Sequence, residues 1–381
     1  MHSTATRLNG LDTLRAAAIA LVFMYHYMVF VSHVETFGVL SNIGWVGVDL
    51  FFVLSGYLIG NQILSAIAQG RQFSLKTFYI KRCLRTLPNY YVVLALYFLF
   101  PLAMGGTTPP SLWKFLSFTQ NYQLHAGTAF SQAWSLCVEE QFYLVLPVAA
   151  LLVAGCRKSL LLGWTLIAAT VLAGIAIRDM LWRDYGGDAN GYYTHIYYSS
   201  FCRFDELLPG VAIAMLKNFH ADAYGRLMKK GNLMLTAGVL GAAITFYLYL
   251  NYQYVDDNSY GFLMTAFGYP MLTASFALLT LSALSPASLL HRIRVPGACQ
   301  LALWSYAIYL VHKPLMNMAK GPLSNVGIAA DSGLGVMIML GVSLAGGWLL
   351  YRLVETPCMK LRDRLYKQRL SDRPNLLGPA I

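Results

Sequence analysis

Residues 43–66 read IGWVGVDLFFVLSGYLIGNQILSA, an apolar run whose one charged side chain is Asp49. As a helix at ~1.5 Å per residue, such a run is long enough to cross a ~30 Å hydrocarbon core. Similar runs lie near 15–32, 87–105, 134–155, 160–181, 202–217, 233–251, 261–285, 300–319 and 333–354. The run at 202–217 is the weakest, being short and carrying Arg203, Asp205 and Glu206. The stretch 111–124 adds a short interfacial helix. The chain therefore reads as an all-α, polytopic transmembrane helix bundle of about ten spans.

Composition excludes the other classes. Of 381 residues, 57% are hydrophobic and 12% charged, and the mean hydropathy is +0.52. A soluble domain carries roughly 25% charge, and disordered or collagen-like chains are polar or periodic in ways this one is not. The net charge is +11, from 28 basic and 17 acidic residues. In a soluble protein that excess would raise nucleic acid as a partner. Here the basic residues fall in short loops, and the positive-inside rule accounts for them, so no nucleic acid is expected.

With the N-terminus in the cytoplasm, 22 of the 28 basic residues lie on the inside. They are Arg7 and Arg15; Arg71 to Arg85; Arg157 and Lys158; Lys217 to Lys230; Arg292 and Arg294; and seven from Arg352 to Arg373. Both termini are then cytoplasmic. The first span lacks a cleavage pattern and reads as an uncleaved anchor. Residues 1–355 form the membrane body and 356–381 a basic cytoplasmic tail lying on the membrane surface. The six cysteines stand singly and read as small buried apolar residues, with no metal site.

Ionisable residues inside spans are costly and draw attention to function. Arg15 and His26 are eleven residues apart, about three helical turns, and share a face of the first span. Asp49 lies about 9 Å below the outer edge of the second. Glu139 and Glu140 stand in the outer half of the fourth; being ~100° apart, the two do not face one site equally. His312 rises into the same layer on the ninth. Each residue alone has a plain structural reading, a snorkelling arginine or a core ion pair. Together, four spans bring His26, Asp49, Glu139/Glu140 and His312 to one depth, which points to a shared site. A carboxylate facing a histidine fixes its tautomer, as a general base requires. A second cluster, Lys76, Lys81, Arg82 and Arg85, leads into the third span. Its plain reading is topology; its functional reading is an anion site, since paired guanidiniums suit phosphate. There is neither a phosphate-binding Gly-Lys loop nor a G-x-S-x-G elbow.

At these residues the chain resembles the acyltransferase-3 family of integral membrane acyltransferases. Arg15 and His26 match its Arg-x10-His signature, and Gly44–Ile59 match G-x-x-G-V-D-x-F-F-V-L-S-G-[FY]-L-I. Arg82, Arg85 and Pro88 match R-x-x-R-[ILT]-x-P, and Trp134–Leu144 match W-S-L-x-x-E-x-Q-F-Y-L. Ser305–His312 match S-Y-x-[IL]-Y-L-x-H, and Glu355–Pro357 match E-x-P. The resemblance covers about residues 8–360.

The resemblance implies an enzyme, an O-acyltransferase and foremost an O-acetyltransferase, in the bacterial cytoplasmic (inner) membrane among its lipids. Its donor would be acyl-CoA, usually acetyl-CoA, entering from the cytoplasm as a co-substrate. Arg82 and Arg85, with Lys76 and Lys81, would hold its phosphates and Arg15 another part. The acceptor would be a hydroxyl of an extracytoplasmic glycan or lipid-linked saccharide, met by outer aromatics such as Tyr193 and Trp134, with Arg203 and His312. His26 would be the general base, oriented by Asp49 or Glu139, with Glu140 beside it; Ser55 or Arg203 are oxyanion donors to consider. A covalent acyl-enzyme is the competing mechanism. Some members carry an extracytoplasmic hydrolase-like domain; the resemblance here is to the stand-alone type, which acts directly or hands the acyl group to a separate protein. The alternative function is a secondary transporter moving a proton or anion through the same layer. Thioester consumption separates the two. Neither the acceptor nor the oligomeric state is encoded legibly.

Overall fold

The structure, a computed structural model, describes residues 8–105, 109–256 and 258–371, with only the backbone of 366–371. Arg7 and Arg373, counted above toward the cytoplasmic side, lie outside the described residues. Within them the architecture is helical, apart from an isolated antiparallel bridge between Tyr254 and Tyr260.

Ten principal helices correspond to the ten apolar runs: α1 Asn9–Tyr27, α2 Gly47–Ala68, α3 Leu75–Leu99, α4 Trp134–Ala154, α5 Ser159–Tyr185, α6 Leu208–Phe219, α7 Gly231–Tyr252, α8 Tyr269–Leu284, α9 Ala298–Asn325 and α10 Gly333–Leu350. An eleventh, α11 Thr356–Ser371, follows a π-helical turn at Tyr351–Glu355. The helix thus runs on through position 356, where the sequence divided body from tail.

Among the described residues, seven helical segments are long and apolar enough to cross a membrane. The other three expected spans, now α3, α6 and α9, do not meet that measure. The basic half of α3 is helical rather than loop, so Lys76, Lys81, Arg82 and Arg85 ride on the helix itself. The expected span at 202–217 breaks into the short helix Ser200–Arg203, a 3-10 turn Phe204–Leu207 and α6. At ~1.5 Å per residue, the 12 residues of α6 rise only about 18 Å. Ionisable and amide side chains, His312, Lys313, Asn317 and Lys320, dilute α9. The interfacial helix expected within 111–124 is one turn, Leu112–Leu116, which leaves Trp113 exposed and buries Phe115.

Helix α2 is the centre: 83% of its apolar stretch is buried, against 6% for the lipid-facing α5. It packs on α1, α4, α6 and α8, while α9 packs on α1 and α10. Glycine makes the closest crossings possible. A methyl group at Gly47 would meet the Ala18 carbonyl of α1, and one at Gly56 the Leu207 carbonyl at the head of α6. Small residues let backbones approach where lipid supplies little hydrophobic drive. Buried ion pairs add to this frame. Arg178 of α5 forks onto Asp205, with Nη1–Oδ1 at 2.9 Å and Nη2–Oδ2 at 2.7 Å. Such a pair fixes two elements, because separating it leaves an uncompensated charge in apolar surroundings. The cysteines depart from expectation in part: Cys137 and Cys202 are buried, but Cys83 and Cys156 are exposed.

Candidate active site

The arginines of α3 meet α1, α2, α4 and α9 around a cavity of about 570 Å³. Arg15, Lys81, Arg82 and Arg85 line it, with Ser55, Glu139, Glu140, Ser305, Tyr306 and Tyr309. The i, i+3 spacing of Arg82 and Arg85 puts both on its wall, as expected. Lys76 stays outside, exposed in the first turn of α3. The Arg82 guanidinium lies 3.8 Å from the Tyr143 ring centroid, and its buried Nε has no hydrogen-bond partner among the described residues. Both glutamates line the cavity despite their angular separation. Glu139 Oε1 accepts from Ser55 Oγ at 2.8 Å, which ties α4 to α2.

His26 does not face a carboxylate. Its Nδ1 lies 2.7 Å from Nε2 of His312, with the rings stacked 5.0 Å apart. His312 is fully buried, and its Nδ1 lies 2.9 Å from the Ile308 carbonyl. A carbonyl only accepts, so these partners assign the tautomers. His312 donates from Nδ1 and accepts at Nε2; neutral His26 donates from Nδ1 and keeps its Nε2 lone pair free. The partner expected for His26 was Asp49 or Glu139; the structure puts His312 there instead, a residue expected to meet substrate. The half-buried His26 has Tyr25 and Phe30 rings within 5.7 Å and 5.5 Å. Lys313, next to His312, donates to Ser131 Oγ at 3.0 Å and sits 4.2 Å from the Phe30 centroid. Sequence reading passed over Lys313 as one basic residue in a span; its signal was its place directly after His312.

Asp49, Arg203 and Trp134 form a different centre. Asp49 Oδ1 lies 2.9 Å from Arg203 Nη2, and Glu206 Oε1 lies 2.6 Å from Arg203 Nε. All three side chains are fully buried. The guanidinium is caged by Tyr269 at 4.1 Å and by Trp134 and Tyr197, each at 5.0 Å. Arg203 and Trp134 were expected at the acceptor and Asp49 beside His26; instead they brace α2, α4 and α8. The expected common layer therefore divides: Glu139 and Glu140 line the basic cavity with Arg15 and Arg82, Asp49 turns to Arg203, and His26 meets His312, because periodicity does not give the direction a residue faces around its helix.

A third feature is aromatic. Tyr25, Trp45, Tyr193, Tyr197, Tyr254 and Tyr260, with Met28 and Asn42, line a cavity of about 320 Å³. Two π-helical turns shape it, Met28–Ser32 after α1 and Tyr193–Tyr197. Such turns recur at functional sites. Tyr193, expected to meet the acceptor, lines this cavity. His26 is the next residue after Tyr25, and His312 lies three residues beyond Tyr309 of the basic cavity. Helix α1 thus carries a residue of each cavity, Arg15 and Tyr25, while the histidine pair lines neither.

Comparison with known proteins gives the family. The family described as an acyltransferase domain matches residues 8–352. The putative peptidoglycan O-acetyltransferase YrhL of Bacillus subtilis is 26% identical over 377 residues, covering 95% of this chain and 56% of the relative. The peptidoglycan O-acetyltransferase OatA of Listeria monocytogenes is 26% identical over 372 residues, covering 92% and 56%. A putative O-acetyltransferase of Staphylococcus aureus is 28% identical over 222 residues, covering 54% and 34%. The chain spans about half the length of the curated relatives it matches. No solved structure matches it. With the family's match running from the head of α1 through α10, this multi-pass chain belongs to the acyltransferase-3 family.

Proposed function

We propose that the protein transfers an acyl group, acetyl foremost, from cytoplasmic acyl-CoA to a saccharide hydroxyl across the bacterial inner membrane, with His26 as general base. One observation supports this reading: α1 carries Arg15 in the cation-lined cavity and Tyr25 in the aromatic one, and His26, next to Tyr25, is held through Nδ1 by His312. The basic-residue distribution puts the cation-lined cavity on the cytoplasmic side. There Arg82 and Arg85, with Lys81, hold donor phosphates by charge-assisted hydrogen bonds. The unpartnered Arg82 Nε supports a ligand at this place. Arg15 holds the donor further in.

His26 Nε2 takes the acceptor hydroxyl proton as that oxygen attacks the thioester carbonyl carbon. The imidazolium so formed is stabilised through Nδ1–H donating to His312. The tetrahedral adduct collapses, the C–S bond breaks, and the proton on His26 returns to the leaving thiolate. Tyrosine faces of the aromatic cavity stack on the sugar ring. The relatives' names, which cite peptidoglycan, support a glycan acceptor.

The test is thioester consumption by purified, detergent-solubilised protein given acetyl-CoA, with and without extracted glycolipids. Free CoA should appear with wild type and vanish with His26→Ala in folded protein. If folded wild type releases none under either condition, the transporter reading takes precedence, and proton or anion flux in vesicles becomes the assay.

A further inference from the structure

The helix that follows the last crossing supplies a residue to the basic cavity. α11 packs against α3, the helix of Arg82 and Arg85. Through that packing, Arg362 and Asp363 reach the cavity that Arg15, Arg82 and Arg85 line. Sequence reading placed these two in a tail apart from the site. Arg362 is still part-exposed, with 24% of its side chain accessible, so it stands at the rim rather than in the bundle. Its Nη2 lies 2.7 Å from Asp363 Oδ1, and its Nε lies 2.9 Å from the same oxygen. Asp363 is 61% exposed. An exposed pair of adjacent residues contributes little to stability. It does hold a guanidinium fork at the mouth, facing a carboxylate that an incoming dianion would displace.

We propose that Arg362 binds the 3′-phosphate at the nucleotide end of the acyl donor, with Asp363 as the weak internal competitor for its guanidinium. The proposal rests on the acyl-CoA reading above and specifies which end of the donor each cation meets. The thioester has to reach His26, and His26 is eleven residues, about 16 Å, along α1 from Arg15. The end of the donor farthest from the thioester then lies at the rim. That end carries the adenosine 3′-phosphate, and the rim cation is Arg362. Arg82 and Arg85, further in, are left to the pyrophosphate.

The experiment measures binding of CoA and 3′-dephospho-CoA to the full-length, detergent-solubilised protein, wild type against Arg362→Gln, Asp363→Asn and Arg82→Gln. Loss of a charge-assisted bond to phosphate should weaken CoA binding about tenfold in Arg362→Gln. The same variant should bind 3′-dephospho-CoA as wild type does. Asp363→Asn should tighten CoA a few-fold and leave the dephospho form unchanged. Arg82→Gln should weaken both. Equal weakening of both nucleotides by Arg362→Gln overturns the assignment, as does no change in either. Wild type that binds neither nucleotide overturns the donor reading and this proposal with it, whereas wild-type binding with an indifferent Arg362→Gln overturns this proposal alone.

Discussion

At the residue scale the proposed chemistry rests on the hydrogen bonds of two histidines. His26 acts as a base only while its Nε2 is unprotonated, so turnover should fall as pH is lowered through its titration and level off above it. His26→Ala should lose about 10²–10⁴-fold in kcat, the range of general-base catalysis. In the proposed mechanism His312 positions the base. His312→Ala should cost about 10²-fold, in line with a misplaced catalytic group. His312→Gln, which keeps an acceptor for His26 Nδ1–H, should recover part of that. A purely structural His312 would show equal loss in both variants and no change in the pH profile. Asp49 is a different case. Its partner is the buried Arg203, and removing one member of such a pair typically costs about 3–5 kcal/mol. Asp49→Ala should therefore lower the unfolding temperature in detergent sharply. Loss of turnover with unchanged thermal stability would return Asp49 to the reaction itself.

Close crossings position the site at the scale of helices. α2 carries Ser55 to Glu139 on one side and Asp49 to Arg203 on the other, and Gly56 lets it touch the head of α6. Gly56→Val places two further carbons beyond a Cβ that already meets a carbonyl oxygen. It should destabilise by at least the ~1–3 kcal/mol usual for overpacking, read as a lower thermal midpoint. On α3 the expected effect is on binding rather than folding. Arg85→Gln should raise KM for acyl-CoA with little change in the unfolding temperature. A changed kcat at unaltered KM would place Arg85 outside the donor's ground-state contacts.

At the scale of the whole molecule, α1 runs past both cavities, with Arg15 in the one and Tyr25 in the other. In the proposed mechanism, donor and acceptor meet without the donor leaving its own side. Tyr193→Ala and Tyr254→Ala should each raise the acceptor's KM a few-fold to about tenfold, the ~0.5–1.5 kcal/mol of an aromatic contact, while CoA binding stays as it was. Arg82→Gln should do the reverse. Equal effects of both sets of variants on both substrates would show one shared chamber in place of two.

The amino-acid order alone determined the helical, membrane-crossing character of this chain, since some 20 apolar residues in a row have few other stable forms. It also determined the motifs that place the chain in its family and the pairing of Arg82 with Arg85, because i, i+3 spacing is local. Tertiary structure alone decided partnership. His26 meets His312 across 286 positions of sequence, and Arg203 takes Asp49 away from the layer it had seemed to join. A helix periodicity gives height and a face relative to its own axis, but not which neighbour that face meets. The glycine crossings decide that rotation, and their geometry depends on two chains of contacts at once. The same reason hid Arg362, whose approach to the cavity comes from packing of α11 on α3 and not from any local pattern.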